Sequence, residues 1–242
     1  MEFIHKSVLL KETIAALDIK PDGIYVDGTA GGAGHSSEIA KRLTSGFLYA
    51  LDRDPDAVKT ATERLKAYPA KVIESNFCDM ATVLAAEGID GVDGVLLDLG
   101  VSSYQLDSAE RGFSYRADAP LDMRMSKSGL SAADIVNTYS VQQLTDIFRD
   151  YGEEKFAYKI ANRIAKEREK EPILNTIRLA DVIASSVPAA APFPHRLDHS
   201  LRSDGLRQRQ DLALHALPGP EPGIESLRHP ACSQFLLESD LL

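Results

Sequence analysis

Cysteine is nearly missing from this chain: Cys78 and Cys232 are the only two in 242 residues, far apart and without ligand-like spacing. That excludes a disulfide framework and a cysteine-based zinc site, and no metal is expected. Long apolar runs are missing as well. The amino-terminal MEFIHKSVLLKETIAAL carries charges inside its apolar stretch and reads as an amphipathic helix from about Ser7 to Leu17, not as an export signal or a membrane span. A cytoplasmic enzyme with reduced thiols, no membrane contact and one main domain is the expectation. Positive charge is also short, with a formal net charge of −9. Global electrostatic attraction to nucleic acid is thereby excluded, but local contact is not. In KFAYKIANRIAKEREK, Lys159, Arg163, Lys166 and Lys170 fall at helical spacings and would line one face. With Glu167 and Glu169 beside them, a solvated face is the preferred reading of that segment alone, and RNA contact the alternative.

What the chain does have is a glycine-rich turn in a telling place. In YVDGTAGGAGH, apolar Ile24, Tyr25 and Val26 read as a short buried strand that ends on Asp27. Gly28, Gly31, Gly32 and Gly34 follow, which permits a tight turn and lets a ligand approach the main chain. A second apolar strand, Phe47 to Leu51, ends on Asp52, and an acid about 20 residues beyond such a turn accepts hydrogen bonds from the ribose of a nucleoside cofactor. The spacing is not a clean G-x-G-x-x-G, and an acid precedes the loop where an NAD site has an apolar residue. S-adenosylmethionine, with an amino group and a positive sulfur in place of a pyrophosphate, suits Asp27 better.

The first hundred residues alternate strand and helix. Pro55 to Tyr68 is a predicted helix with Ala57, Ala61 and Leu65 on one face; Lys71 to Glu74 is a strand, Asp79 to Glu87 a helix, and Gly94 to Leu99 a continuous apolar strand. Short crossovers between such strands require a parallel sheet. Ligands then bind at the carboxyl ends of the strands, which places Asp27, Asp52, Phe77 and Asp98 around one crevice.

After Leu99 comes a long polar segment expected to be a functional loop, mobile from Leu106 to Met125. Its Arg111, Arg116 and Arg124 interleave with Phe113 and Tyr115. Phosphate contact with base stacking, and pairing with Asp107, Glu110, Asp118 and Asp122, stand as even alternatives. Helices follow: one capped by Ser131, one opened by a Ser140 and Gln143 capping box and stopped near Gly152, one over Glu153 to Glu169, and one over Thr176 to Val187 with Ile177, Ala180, Ile183 and Ala184 inward.

VLLDLGVSSYQLDSAERGFSYRADAPLDMRM closely resembles the signature of the bacterial 16S ribosomal RNA N4-cytidine methyltransferases, the RsmH or MraW family. HKSVLLKETIAAL, YVDGTAGGAGHS, ALDRDPDA and YGEEKFAYKIANRIAK resemble it too, so the likeness runs from His5 to about Ala190. It implies an α/β class I S-adenosylmethionine-dependent methyltransferase fold, a Rossmann-like parallel sheet with an inserted helical subdomain. It also implies methylation of a cytidine in the decoding region of 16S ribosomal RNA, within the small ribosomal subunit. Homodimer formation is left open. The family's cofactor positions fall on Ala33, Gly34, His35, Asp52, Phe77, Asp98 and Gln105. His35 is read as a loop-ordering or cofactor-contact residue in preference to a catalytic base. Asp98 is the expected catalytic residue, an acceptor for the hydrogens of the target amine.

The expected domains are a cofactor-binding part over 1–106, a signature loop and helical RNA-recognition part over 107–190, and a non-family tail over 191–242. From Pro188 on, the chain holds seven of its twelve prolines and four of its six histidines, but no lysine. The tail is expected to be disordered or the product of a shifted reading frame, leaving the sheet without its last strands. Two alternatives accompany the methyltransferase reading: an inactive product that retains cofactor or RNA binding, and another nucleotide-cofactor enzyme such as a dehydrogenase.

Overall fold

The computed structural model describes residues 9–187, and of Ser103 the backbone only. The expectations for the tail, and for the helix residues before Leu9, lie outside them. The described part divides into two compact units: residues 9–102 with 125–127, and residues 103–124 with 128–187.

The first unit is built on four parallel strands, β1 (Ile24–Asp27), β2 (Phe47–Asp52), β3 (Ala70–Glu74) and β4 (Gly94–Leu96), in the order β3-β2-β1-β4. Its helices are α1 (Leu10–Ala16), α2 (Gly34–Ala40), α3 (Pro55–Leu65) and α4 (Met80–Ala86). Alternation along β1 and β2 makes two apolar layers. Tyr25, Leu48 and Ala50 pack with Ile14, Ile39, Ala61 and Leu65 on one face. Val26, Tyr49 and Leu51 pack with Leu84 on the other, joined by half-buried Met80 and Val83. Helix α3 starts where the sequence puts it, with Pro55 in its first turn and the Asp54 side chain accepting from the Asp56 amide.

Two boundaries differ from the sequence reading. Helix α1 begins at Leu10 because Leu9 sits in the left-handed region, φ 48°. The fourth strand stops at Leu96 instead of Leu99, because its ladder partner β1 runs out at Asp27 and turns into the glycine loop. Among the described residues β4 has no neighbour on its other side, and Val95 and Leu99 are 41% and 45% exposed.

The second unit is helical: α5 (Ser103–Asp107), α6 (Ala132–Thr138), α7 (Val141–Asp150), α8 (Ala157–Arg168) and α9 (Thr176–Ala184). Capping boxes at Ser131 with Asp134 and at Ser140 with Gln143 open α6 and α7. Helix α8 starts at Ala157, not Glu153, because Glu153 takes a left-handed turn, φ 46°. The expected inward face of α9 is also rotated: Thr176, Leu179, Val182 and Ile183 are buried, while Ile177 and Ala184 are exposed. The cause lies at the helix start. The Thr176 amide donates to the Ala119 carbonyl at 3.0 Å, and the Ala119 amide donates to the Thr176 hydroxyl at 3.2 Å, which fixes Thr176 inward. Residues three and seven positions later must then face in as well.

The segment after Leu99 is not the structureless loop expected of it. It contains α5 and a single 3-10 turn, Ala109–Arg111, and Phe113, Ala119, Leu121 and Met123 are buried. Gly112 makes this packing possible at φ 71°, where an added Cβ would overlap the Pro120 carbonyl oxygen and lie 2.9 Å from the Asp122 nitrogen. Gly112→Ala is therefore expected to destabilise the protein by about 2 kcal/mol or more, read as a lower urea midpoint at unchanged slope.

Candidate functional site

In the strand order β3-β2-β1-β4 the chain winds outward from β1 through β2 to β3 and then returns to the far side of β1, so the topological switch lies between β1 and β4. Ligands of such sheets bind outside the carboxyl ends there. The two strand ends are laced together. The Gly28 amide donates to the Leu96 carbonyl at 2.9 Å, and the Asp98 amide donates to the Thr29 hydroxyl at 2.7 Å.

Asp27 does not face this crevice. It is 1% exposed, accepting from the Ser36 hydroxyl at 2.5 Å and from the Thr29 amide at 3.1 Å. Burial pushes its carboxyl above the ordinary carboxylate range, against the pull of Ser36 and Thr29. The sequence reading offered Asp27 to a ligand's amino group; the structure gives it to the loop and to α2, as an internal anchor.

Asp52, at the end of β2, accepts from the Gly31 amide at 2.7 Å and the Asp54 amide at 2.9 Å. Burial raises its carboxyl too, opposed by the amides of Asp54 and Gly31 and, more weakly, of Arg53. A carboxylate has about four acceptor positions, so capacity remains for a ribose hydroxyl. The loop is braced from outside by Arg64 of α3, whose guanidinium donates to the Gly32 carbonyl.

The remaining expected site residues of this unit surround the same loop. Ala33 is buried in the left-handed conformation, φ 59°, and Gly34 opens α2. His35 is buried with Nδ1 3.8 Å from an Asp98 carboxylate oxygen, and the Asp98 side chain is 50% exposed. Phe77 lies in a 3-10 turn, Phe77–Asp79, after β3; a Cβ on Gly28 would come within 3.0 Å of its Cβ and 2.5 Å of Leu97. A side chain at 28 would oblige Leu97 and Phe77 to shift. Gln105 is buried on α5 and belongs to the second unit.

The loop arginines divide. Arg124 clasps Asp122 through Nη2 at 2.6 Å and Nε at 3.0 Å, and Arg111 is buried, donating to the Arg124 carbonyl at 2.9 Å with its guanidinium 5.8 Å from the Phe113 ring. Both hold the segment together. Burial alone would raise the Asp122 carboxyl, but the bonds from Arg124 outweigh it and hold it below the ordinary range. Arg116 is exposed.

Sequence reasoning passed over Ser36, Thr29 and Arg64. Ser36 could have been found, since it lies in the first turn of the helix that follows the glycine turn, from which its hydroxyl returns to Asp27. Arg64, 32 residues from Gly32, left no local signal. Chemically, the strand ends around the loop are rich in carboxylate acceptors, and Arg64 is committed to a carbonyl. That acceptor set suits a cationic, hydroxyl-bearing ligand and opposes an anionic pyrophosphate. Among the described residues no three His, Cys, Asp or Glu side chains are grouped to hold a metal.

Because burial lifts the folded pKa of Asp27 above its unfolded value, its charged form weakens the fold. Stability is greatest below the unfolded pKa and declines as pH rises through the folded one. Asp27→Asn removes this titration. Its stability relative to the native chain is expected to be highest at neutral pH and to fall as pH approaches about 4, measured by urea unfolding across that range. A difference independent of pH would show that hydrogen bonds, not burial, govern this carboxyl.

Comparison with known proteins places this geometry. The MraW methylase family pattern matches residues 2–200, a little past the Ala191 at which the likeness was expected to end. Ribosomal RNA small subunit methyltransferase H of Lachnospira eligens is 57% identical over 193 residues, 78% of this chain and 61% of that protein. The proteins of the same name from Ruminiclostridium cellulolyticum and Clostridioides difficile are 54% and 48% identical over 222 and 220 residues, each match covering 88% of this chain and 71% of the relative. The chain thus spans between three-fifths and three-quarters of the curated relatives it matches. The C-terminal domain of precorrin-6Y C5,15-methyltransferase from Rhodobacter capsulatus is similar over 49% of this chain and 64% of its own, at 16% identity and a TM-score of 0.33, too partial a likeness to bear on fold or function. Identity at this level over four-fifths of the sequence admits one conclusion: the chain belongs to the MraW methylase family.

Proposed function

We propose that the chain is an S-adenosylmethionine-dependent ribosomal RNA methyltransferase, acting on N4 of a cytidine in the decoding region of 16S ribosomal RNA. The observation that carries the cofactor reading is the bond from the Gly31 amide to Asp52, which ties the glycine loop to the acid at the end of β2. The family match displaces the dehydrogenase alternative, and the acidic strand ends argue the same way. The relatives' names support RNA as substrate.

S-adenosylmethionine, when bound, supplies a methyl group on positively charged sulfur. The chain's own part is to hold and align. Asp52 accepts from the ribose, the loop backbone at Ala33, Gly34 and His35 holds the methionine portion, and Phe77 provides an apolar wall for adenine. A cytosine amine is a poor nucleophile because its lone pair is delocalised into the ring. Asp98, pinned at its amide by Thr29 and half exposed, accepts the N4 hydrogens, localises that lone pair and stabilises the positive charge that develops on nitrogen. His35 steadies the Asp98 carboxylate from its buried side.

A second reading, binding without turnover, is favoured by the exposed edge of β4. Titration calorimetry and transfer of labelled methyl to small-subunit RNA separate the two. Asp52→Ala is expected to weaken S-adenosylmethionine binding roughly ten- to hundredfold. Asp98→Asn is expected to bind the cofactor but transfer methyl about a hundredfold more slowly. Unchanged turnover in Asp98→Asn removes that residue from the mechanism, and cofactor binding without transfer by the native chain selects the second reading.

A further inference from the structure

Four consecutive residues of the glycine loop reach out to two different strands. The Ala30 amide donates to the Leu51 carbonyl at 2.9 Å and the Gly31 amide to the Asp52 carboxylate at 2.7 Å, which ties the loop to β2. Gly28 and Thr29 reach the other way. The Gly28 amide donates to the Leu96 carbonyl at 2.9 Å, and the Thr29 hydroxyl accepts from the Asp98 amide at 2.7 Å. The first pair holds the acid assigned to the ribose, and the second holds the chain that bears the acid assigned to the amine. The loop thereby spaces the two acids.

Of these four contacts only the one at Thr29 is made by a side chain of the loop. It falls where the sheet no longer helps: the β1–β4 ladder ends at Leu96, and Gly100, two residues past Asp98, has φ 136°, with no Cβ to stiffen the chain. The Asp98 side chain is itself 50% exposed, so packing on the carboxylate does little to fix it. The hydroxyl that holds its backbone is in turn aimed. A threonine hydroxyl has one proton to give and lone pairs to receive. Oδ1 of buried Asp27 stands 3.5 Å from the Thr29 hydroxyl to take that proton, and the same oxygen accepts the Thr29 amide at 3.1 Å. The lone pairs are left to the Asp98 amide, and a hydroxyl set between a carboxylate and an amide is polarised in one direction.

We infer that Thr29 is a positioning residue for methyl transfer. Its hydroxyl fixes the backbone from which Asp98 reaches the target amine, while the β2 side of the same loop sets cofactor affinity. This rests on the methyltransferase reading and adds to it a residue that governs turnover through Asp98.

The test compares Thr29→Val, which keeps the branched shape and the amide bond to Asp27 but lacks the hydroxyl, with Thr29→Ser, which retains the hydroxyl, both in the full 242-residue chain. Calorimetric titration with S-adenosylmethionine is expected to give the native affinity for both variants, which also shows that they fold. Single-turnover transfer of labelled methyl to small-subunit RNA at saturating cofactor is expected to slow roughly ten- to hundredfold in Thr29→Val and to recover in Thr29→Ser. Amide hydrogen exchange supplies a readout without turnover: the Asp98 amide is expected to exchange roughly tenfold faster in Thr29→Val, with the Gly31 amide as protected as in the native chain. Undiminished transfer in Thr29→Val, or unchanged protection of the Asp98 amide, overturns this proposal alone. A loss of cofactor affinity that matches the loss of turnover also overturns it, since Thr29 would then support the whole loop. A native chain that binds cofactor and transfers no methyl overturns the methyltransferase reading and this proposal with it.

Discussion

The sheet-bearing half of this protein hangs on one buried carboxylate. Asp27 ends β1 out of contact with solvent, and its two oxygens are held by Thr29 in the loop and Ser36 in α2. Strand, turn and helix are thereby fastened at one point. Burying a charge is unfavourable, as the upward displacement of its pKa shows, and the hydrogen bonds offset only part of that. Without the anchor the glycine turn would have no reason to adopt a single shape, because glycines lose the most freedom when ordered. Asp52 and Arg64 then brace the same turn from the second strand and from α3.

From that anchor the rest of the site follows by connectivity. Returning the chain to the far side of β1 brings β4 beside the loop, and the bond from the Asp98 amide to Thr29 sets the Asp98 side chain near buried His35. The shortness of β4 belongs to the same constraint: β1 must leave the ladder at Asp27 to make the turn, so its neighbour can pair no further. The short ladder and the site are consequences of one geometry.

The helical unit has its own organising contact, the paired bonds between Ala119 and Thr176. They join residues 57 apart, draw the chain after Gly112 into the core and set the rotation of α9. This explains why a polar, glycine- and arginine-bearing stretch that reads as a loop is packed in place. Two of its arginines serve the packing, while Arg116 stays exposed, and a row of outward cations lies on α8. That helix displays a basic, aromatic-edged face because its apolar face is fully used inward.

Local chemistry made much of this legible beforehand. The four parallel strands, the glycine turn, Pro55 and Asp54 at the start of α3 and the capping boxes at Ser131 and Ser140 are written in short-range patterns, because propensity, periodicity and capping act over a few residues. The family signature is likewise a run of neighbours. What only the tertiary structure decided involves distance or direction. Whether Asp27 faces a ligand or the loop, where β4 ends, which face of α9 turns inward, that Arg64 braces Gly32, and that Arg111 and Arg124 pair internally all depend on partners brought together from elsewhere in the chain. A side chain's type is fixed by the sequence at once, but its partner exists only after the fold has chosen which distant backbone lies beside it.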